Sequence, residues 1–238
     1  MILKRLSFLI WLWLLIPVLL LVYSQRARPT TGLEIRQKLA ASLPTDEDVQ
    51  LRLVDGFRIQ GRYAEAIVHT QNFLDRAPSS VRSHKALISL SAETGQVDIA
   101  MNSFQKLKAM NRVDADDLVS VGSALSAKDP MLAMHHFKKA LVLNPDSLEA
   151  NINLGSVLLE MRREKEARPH LEKAAKIAPQ NSIAQVNLGI LELRSRRPKV
   201  AVEHLTKALK VQPNHLLAQK LLKVANERIR IQTTSPRQ

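Results

Sequence analysis

The sequence predicts an all-α solenoid of about five helix-turn-helix repeats with half-repeat caps, preceded by one N-terminal transmembrane helix. Three observations carry this. Pro44, Pro78, Arg112, Pro145, Pro179 and Pro213 stand 34, 34, 33, 34 and 34 residues apart, a period typical of stacked two-helix units rather than one compact core. Small residues, Gly or Ala, recur at fixed offsets within each copy. Ahead of the repeats, residues 6–23 carry no charge and follow Lys4 and Arg5, and a stretch of that length can cross a bilayer.

Two segments show the repeat most plainly: EDVQLRLVDGFRIQGRYAEAIVHTQNFLDRAP, ending at Pro78, and LEANINLGSVLLEMRREKEARPHLEKAAKIAP, ending at Pro179. Each copy is numbered so that Leu53, Leu87, Val121, Leu154 and Leu188 stand seventh. Gly122, Gly155 and Gly189 are then eighth, with Val54 and Ile88 departing in the first two copies. Ala66, Ala100, Ala133, Ala167 and Ala201 are twentieth, once a one-residue deletion near Asp129 and Pro130 is allowed in the third copy. In these residues the chain resembles the tetratricopeptide repeat (TPR) family over about residues 32–231. The resemblance implies antiparallel helix pairs that approach closely at the eighth and twentieth places, with aliphatic side chains filling the gap between them. Each pair leans on its neighbours, so stability is close to a sum of repeat and interface contributions. Gly61 and Gly95 fall at helix-helix turns, where a positive φ is expected. Pro169, inside a second helix, removes a backbone donor and is expected to kink or loosen that turn.

The chain divides into a short basic N-terminus (1–5), a transmembrane signal anchor (6–23), a linker (24–30) and an N-terminal capping helix (31–44). Five repeats follow, at 45–78, 79–112, 113–145, 146–179 and 180–213, then a C-terminal capping helix (214–231) and a disordered tail (232–238). Thr31 and Glu34 have the spacing of a capping box, with Ile35, Leu39 and Leu43 at helical spacing behind them. The terminal helix places Leu217, Leu221, Val224 and Ile231 on one side, with Lys220, Lys223, Arg228 and Arg230 elsewhere. Residues 23–26 offer no small-residue cleavage site, which favours an uncleaved anchor. Charge counting leaves the orientation open, with Lys4 and Arg5 set against Arg26, Arg28, Arg36 and Lys38; a short cationic N-terminus before an apolar segment is the usual form of an N-in anchor, which would put the repeats on the extracytoplasmic side. With no cysteine in the chain, disulfides and thiolate chemistry are excluded.

The formal net charge of +13 sits at the ends: residues 180–238 hold eleven Lys or Arg against three acids, while residues 47–179 are nearly balanced. Arg162, Arg163, Arg194, Arg196, Arg197 and Lys199 fall at or near the turns of repeats four and five and should gather along one edge. Such an edge suits an anionic lipid or an acidic polymer; the other reading is a solvated edge that keeps the protein soluble. Nucleic acid is not expected as a partner, because stacking aromatics are scarce. His69, His136, His170 and His204 share the twenty-third place, but one-repeat spacing, about 8 to 10 Å between helices, is too wide for a shared metal. No metal site, cofactor motif or catalytic motif is present, and the chain is read as a non-enzyme.

The resemblance places a ligand groove on the first helices, at about the second, fifth, sixth, ninth and twelfth places. In repeats four and five this gives Ile152, Asn153, Ser156, Leu159, Val186, Asn187, Ile190 and Leu193: an apolar lining with paired asparagines, able to hydrogen-bond a peptide backbone. The family's basic clamp for carboxylates is not reproduced, since Lys85 is the one groove lysine of the full repeats. The expected function is a membrane-anchored scaffold docking a protein or peptide for assembly of an envelope or membrane complex. The alternative is a structural or oligomerising element acting through the basic edge, with self-association left open.

Overall fold

The computed structural model of the chain describes residues 32–234, and among them it holds twelve α-helices and no strand. They fall in two compact units, residues up to Arg62 and residues from Tyr63 onward. The expected anchor at 6–23, Thr31 and residues 235–238 lie outside the described residues. Among those described, no helix is long and apolar enough to cross a membrane.

The first unit contains α1 (Gly32–Ser42) and α2 (Glu47–Ile59). Asp46 starts α2 by accepting a hydrogen bond from the Val49 amide at 3.1 Å, which satisfies one of the orphan donors of the helix terminus. The two helices meet at Gly56, where an added Cβ would lie 2.8 Å from Arg36 Nη1 and 3.0 Å from Leu33 Cδ1. Buried Gln50 donates to the carbonyls of Ala40 and Leu43, at 2.9 and 2.8 Å, and holds the connection. The inward residues of α1 are Leu33 and Ala40, whereas Ile35, Leu39 and Leu43 are exposed. That corrects the expectation from helical spacing: Leu33 packs against Gly56, and the small Ala40 lies where Gln50 bonds its carbonyl.

The second unit runs α3 (Tyr63–Leu74), α4 (Val81–Thr94), α5 (Val97–Ala109), α6 (Ala115–Leu125), α7 (Pro130–Leu143), α8 (Leu148–Glu160), α9 (Glu164–Ile177), α10 (Ser182–Arg194), α11 (Pro198–Val211) and α12 (Leu216–Thr234). Helices α4 to α11 form four pairs, repeats two to five. Each first helix also packs on the first helix of the following pair, and each second helix on the next first helix. The starts of the first helices are written in the sequence. After the proline or Arg112 comes Ser80, Asp114, Ser147 or Asn181, each accepting from the backbone amide three residues on.

The pairs are fixed by small residues. Ala100, Ala133, Ala167 and Ala201 are all fully buried, as is Ala66 of α3. A Cβ on Gly155 would lie 2.5 Å from Leu171 Cδ2, and one on Gly189 would lie 2.7 Å from Leu205 Cδ2. The second helix is therefore seated in the space a side chain would need. Burial of Leu154, Leu171, Leu188 and Leu205 stabilises the pairs by about 1.5 to 3 kcal/mol each.

The helix-helix turns need one left-handed residue. Gly61 and Gly95 supply it with φ of 70° and 69°, and Arg162 and Arg196 occupy the same place in repeats four and five with φ of 58° and 56°. An L-residue there costs about 1 to 2 kcal/mol. The third repeat omits this residue. Asp129 instead caps α7 through the Leu132 amide at 3.0 Å, with Pro130 in its first turn. Helix α9 continues through Pro169 from Glu164 to Ile177. At the C-terminus α12 continues to Thr234, so residues 232–234 are helical rather than tail. Its fully buried residues are Ala218 and Ala225; Leu217, Val224 and Ile231 are exposed, and Leu221 is half-buried.

Candidate functional site

A polar relay repeats at the joints between successive repeats. Gln185 Nε2 donates to the Pro179 carbonyl at 2.8 Å, and Asn151 Nδ2 donates to the Pro145 carbonyl at 3.2 Å. The amide oxygens face histidines of the second helices: His204 Nδ1 lies 2.8 Å from Gln185 Oε1, and His170 Nδ1 lies 3.2 Å from Asn151 Oδ1. An amide oxygen only accepts, so Nδ1 carries the proton. Burial lowers the pKa of both histidines, as it does for His69 and His136 at the same place. Repeat two reverses the pattern. His84 Nε2 faces the Pro78 carbonyl at 3.0 Å, while Ser103 stands where the histidine would be. A cleft of about 550 Å³ opens there, between Gln71 and Leu74 of α3 and Ile99 and Ser103 of α5, and the buried His84 Nδ1 has no partner. Among the described residues no group of His, Cys, Asp or Glu could hold a metal.

On the first-helix face, the eight residues singled out from the sequence lie on adjacent helices α8 and α10, in two kinds of surroundings. Ile152, Leu159, Val186 and Leu193 are only 6%, 3%, 4% and 5% exposed. They pack within the core and between first helices, so the expected apolar lining is largely consumed by the fold. Asn153, Ser156, Asn187 and Ile190 are half-buried, and Ile183 beside them is exposed. Asn153 Nδ2 donates to Ser123 Oγ at 3.0 Å and Asn187 Nδ2 to Ser156 Oγ at 2.7 Å. The serine hydroxyls in turn donate to the carbonyls of Val119 and Ile152, at 2.9 and 2.8 Å. This ladder stitches repeats three, four and five together while leaving both asparagine Oδ1 atoms uncommitted.

The basic edge divides as well. Arg163 forks onto Glu166 with two bonds of 2.7 Å. Arg197 and Arg168 hold the buried Glu192, with Arg197 Nε 2.6 Å from Oε2 and Arg168 Nη1 2.7 Å from Oε1. Lys199 is exposed and stands apart. Arg162, Arg194 and Arg196 do converge. With Arg228, which the sequence alone places on the cap, they line a cavity of about 650 Å³. Arg194 Nη1 donates to the Leu159 carbonyl, and Arg228 Nη1 to the Leu193 carbonyl at 2.7 Å; each guanidinium thereby caps the C-terminal end of the preceding first helix.

Residues 146–214, repeats four and five, match the family model of the tetratricopeptide repeat. That stretch is where the chain is similar to the family. Solved structures share the fold across the chain. YrrB, a TPR protein with an unusual peptide-binding site, aligns at 20% identity and TM-score 0.56, covering 81% of this chain and 100% of its own. A thermophilic TPR protein of Thermus thermophilus aligns at 21% identity and TM-score 0.62, covering 76% and 99%. The pilF protein of Pseudomonas aeruginosa aligns at 23% identity and TM-score 0.63, covering 76% and 85%. No curated protein matches the chain.

Within this helical array Lys85 is committed elsewhere. Its Nζ contacts Asp114 and lies 3.0 Å from Asp117 Oδ2, and these two aspartates form the capping box that starts α6. Burial disfavours the charge of Lys85, but the two carboxylates raise its pKa. The lysine thus clamps the next repeat rather than a ligand.

Proposed function

We propose that the protein is a non-catalytic TPR scaffold, held at a membrane by residues 6–23 with its repeats on the extracytoplasmic side, and that it docks a peptide segment of a protein partner on α8 and α10. The observation that carries this is the Asn153–Asn187 ladder. Two adjacent first helices present equivalent amide oxygens, each with its donor side fixed by a serine, so both acceptors are pre-aimed toward a backbone N–H. Preorganisation of that kind lowers the ordering cost of binding. Ile183 and Ile190 supply apolar contact next to them. The peptide-binding site named for YrrB and the fold shared with it support the same class of function. The anchor rests on the uncharged stretch between Arg5 and Arg26, and a protein extracted by detergent but not by alkali, starting at or near Met1, is the expected result.

The test is partner recovery from native membranes by the full chain. Ile183→Glu places a charge on an exposed position of the face and should abolish recovery without unfolding the protein. Asn187→Ala should weaken it about tenfold, the equivalent of one or two hydrogen bonds. Unchanged recovery in both variants removes this face from the account.

A further inference from the structure

Four arginines meet in the cavity at the turns of repeats four and five, with Glu164 the one acidic residue among those lining it. They come in two equivalent steps. Arg162 and Arg196 hold the left-handed turn position, and Arg194 and Arg228 reach back to the helix end beside it. Arg194 is partly neutralised, with Nη1 3.5 Å from Glu164 Oε1. The side chains of Arg162 and Arg196 are exposed and make no hydrogen bond or ion pair among the described residues. Their backbone conformation is the one that repeats one and two give to glycine, so a guanidinium stands in each place where the fold asks only for a small residue. Part of the wall is apolar, from Leu193, Pro198 and Ile231.

We propose that this cavity docks an acidic peptide segment with aliphatic side chains, as a second surface independent of the α8–α10 face. Charge complementarity selects the occupant: planar guanidinium groups bind carboxylates through paired N–H bonds, and the two steps call for at least two carboxylates about one helix spacing, ~8 to 10 Å, apart. A concave site with an apolar wall suits side chains entering it better than a flat bilayer surface. None of the lining residues is aromatic, so the stacking that single-stranded nucleic acid uses has no platform here.

The test measures binding of a fluorescent, acetylated hexapeptide alternating aspartate and leucine to the full chain in neutral detergent. Binding is expected at low salt and should weaken at high salt. Arg162→Gln with Arg196→Gln should lower affinity roughly tenfold or more, while Lys199→Gln, outside the cavity, should leave it unchanged. Arg162→Gly with Arg196→Gly should lower affinity by the same factor with no drop in the thermal midpoint, because glycine suits the left-handed turn. That separates lost binding from lost folding. Micelles doped with phosphatidylglycerol should not displace the peptide. Absence of binding, equal binding by the double variants, or displacement by the anionic lipid overturns the proposal.

Discussion

Repeats two and five meet the same three local demands with different side chains. At the eighth place of the first helix, repeat two packs a fully buried Ile88 and repeat five a glycine that lets Leu205 sit against the backbone. Behind the proline, repeat two uses His84 with a small Ser103 and leaves a cleft, while repeat five closes the space with Gln185 and His204. At the turn, Gly95 answers Arg196. The fold requires close approach, a satisfied proline carbonyl and a left-handed turn; it does not dictate which atoms supply them. Where repeats four and five depart from the easiest choice, as at Arg162 and Arg196, the side chain points to something other than folding.

The largest effect should come from the close approach. Gly155→Leu drives a side chain into the position of Leu171 and should cost on the order of 1 to 3 kcal/mol through overpacking. Hydrogen exchange should show lost protection in α8, α9 and their neighbours, with α4 and α5 protected as before. A uniform loss would contradict the nearest-neighbour picture. Next, Gly95→Arg should destabilise by about 1 kcal/mol, whereas Arg196→Gly should stabilise slightly or leave the urea midpoint unchanged. Equal losses in both directions would break the comparison of turns.

A pH dependence follows from the relay. Because burial lowers the pKa of His170 and His204 below the usual 6.5, the unfolded chain takes up protons first as acid is added. Stability is full above pH 6.5 and falls as the pH drops through that value toward the lower folded pKa values. Urea midpoints measured from neutral to mildly acid pH should decline, and His204→Gln should reduce the decline. The smallest effect is expected at the cleft. Ser103→His offers His84 Nδ1 a donor and should raise stability by about 0.5 kcal/mol, the low end for a neutral hydrogen bond.

Much of this was legible in the sequence because it lies in period and residue size. The proline grid sets the turns, the twentieth-place alanines mark fully buried positions, the eighth-place glycines of repeats three to five mark the close approaches, and Gly61 and Gly95 mark the left-handed turns. The inward faces of the caps are not legible in spacing: helical spacing in α1 and α12 fits the large aliphatics and the small ones equally, and the alanines are the more deeply buried. Burial of Ile152, Leu159, Val186 and Leu193 was hidden for the opposite reason, since places five and twelve face the adjacent first helices as well as the groove. Arg228 did leave a signal. It stands 34 residues after Arg194, as Arg196 does after Arg162, so extending the repeat into the cap brings the cavity's two steps into view. Nothing in the spacing tells that Arg163 and Arg197 turn aside, because their partners Glu166 and Glu192 are set by local geometry.

The proposed docking face lies on the first helices of repeats four and five. A photo-crosslinking residue placed at exposed Ile183 of α10, in the full chain in native membranes, tests it against the same residue placed at exposed Met131 of α7, a second helix. One defined protein adduct is expected from position 183, diminished by Asn187→Ala, and none from position 131. Adducts from 131 alone, or from both positions irrespective of Asn187, would contradict it.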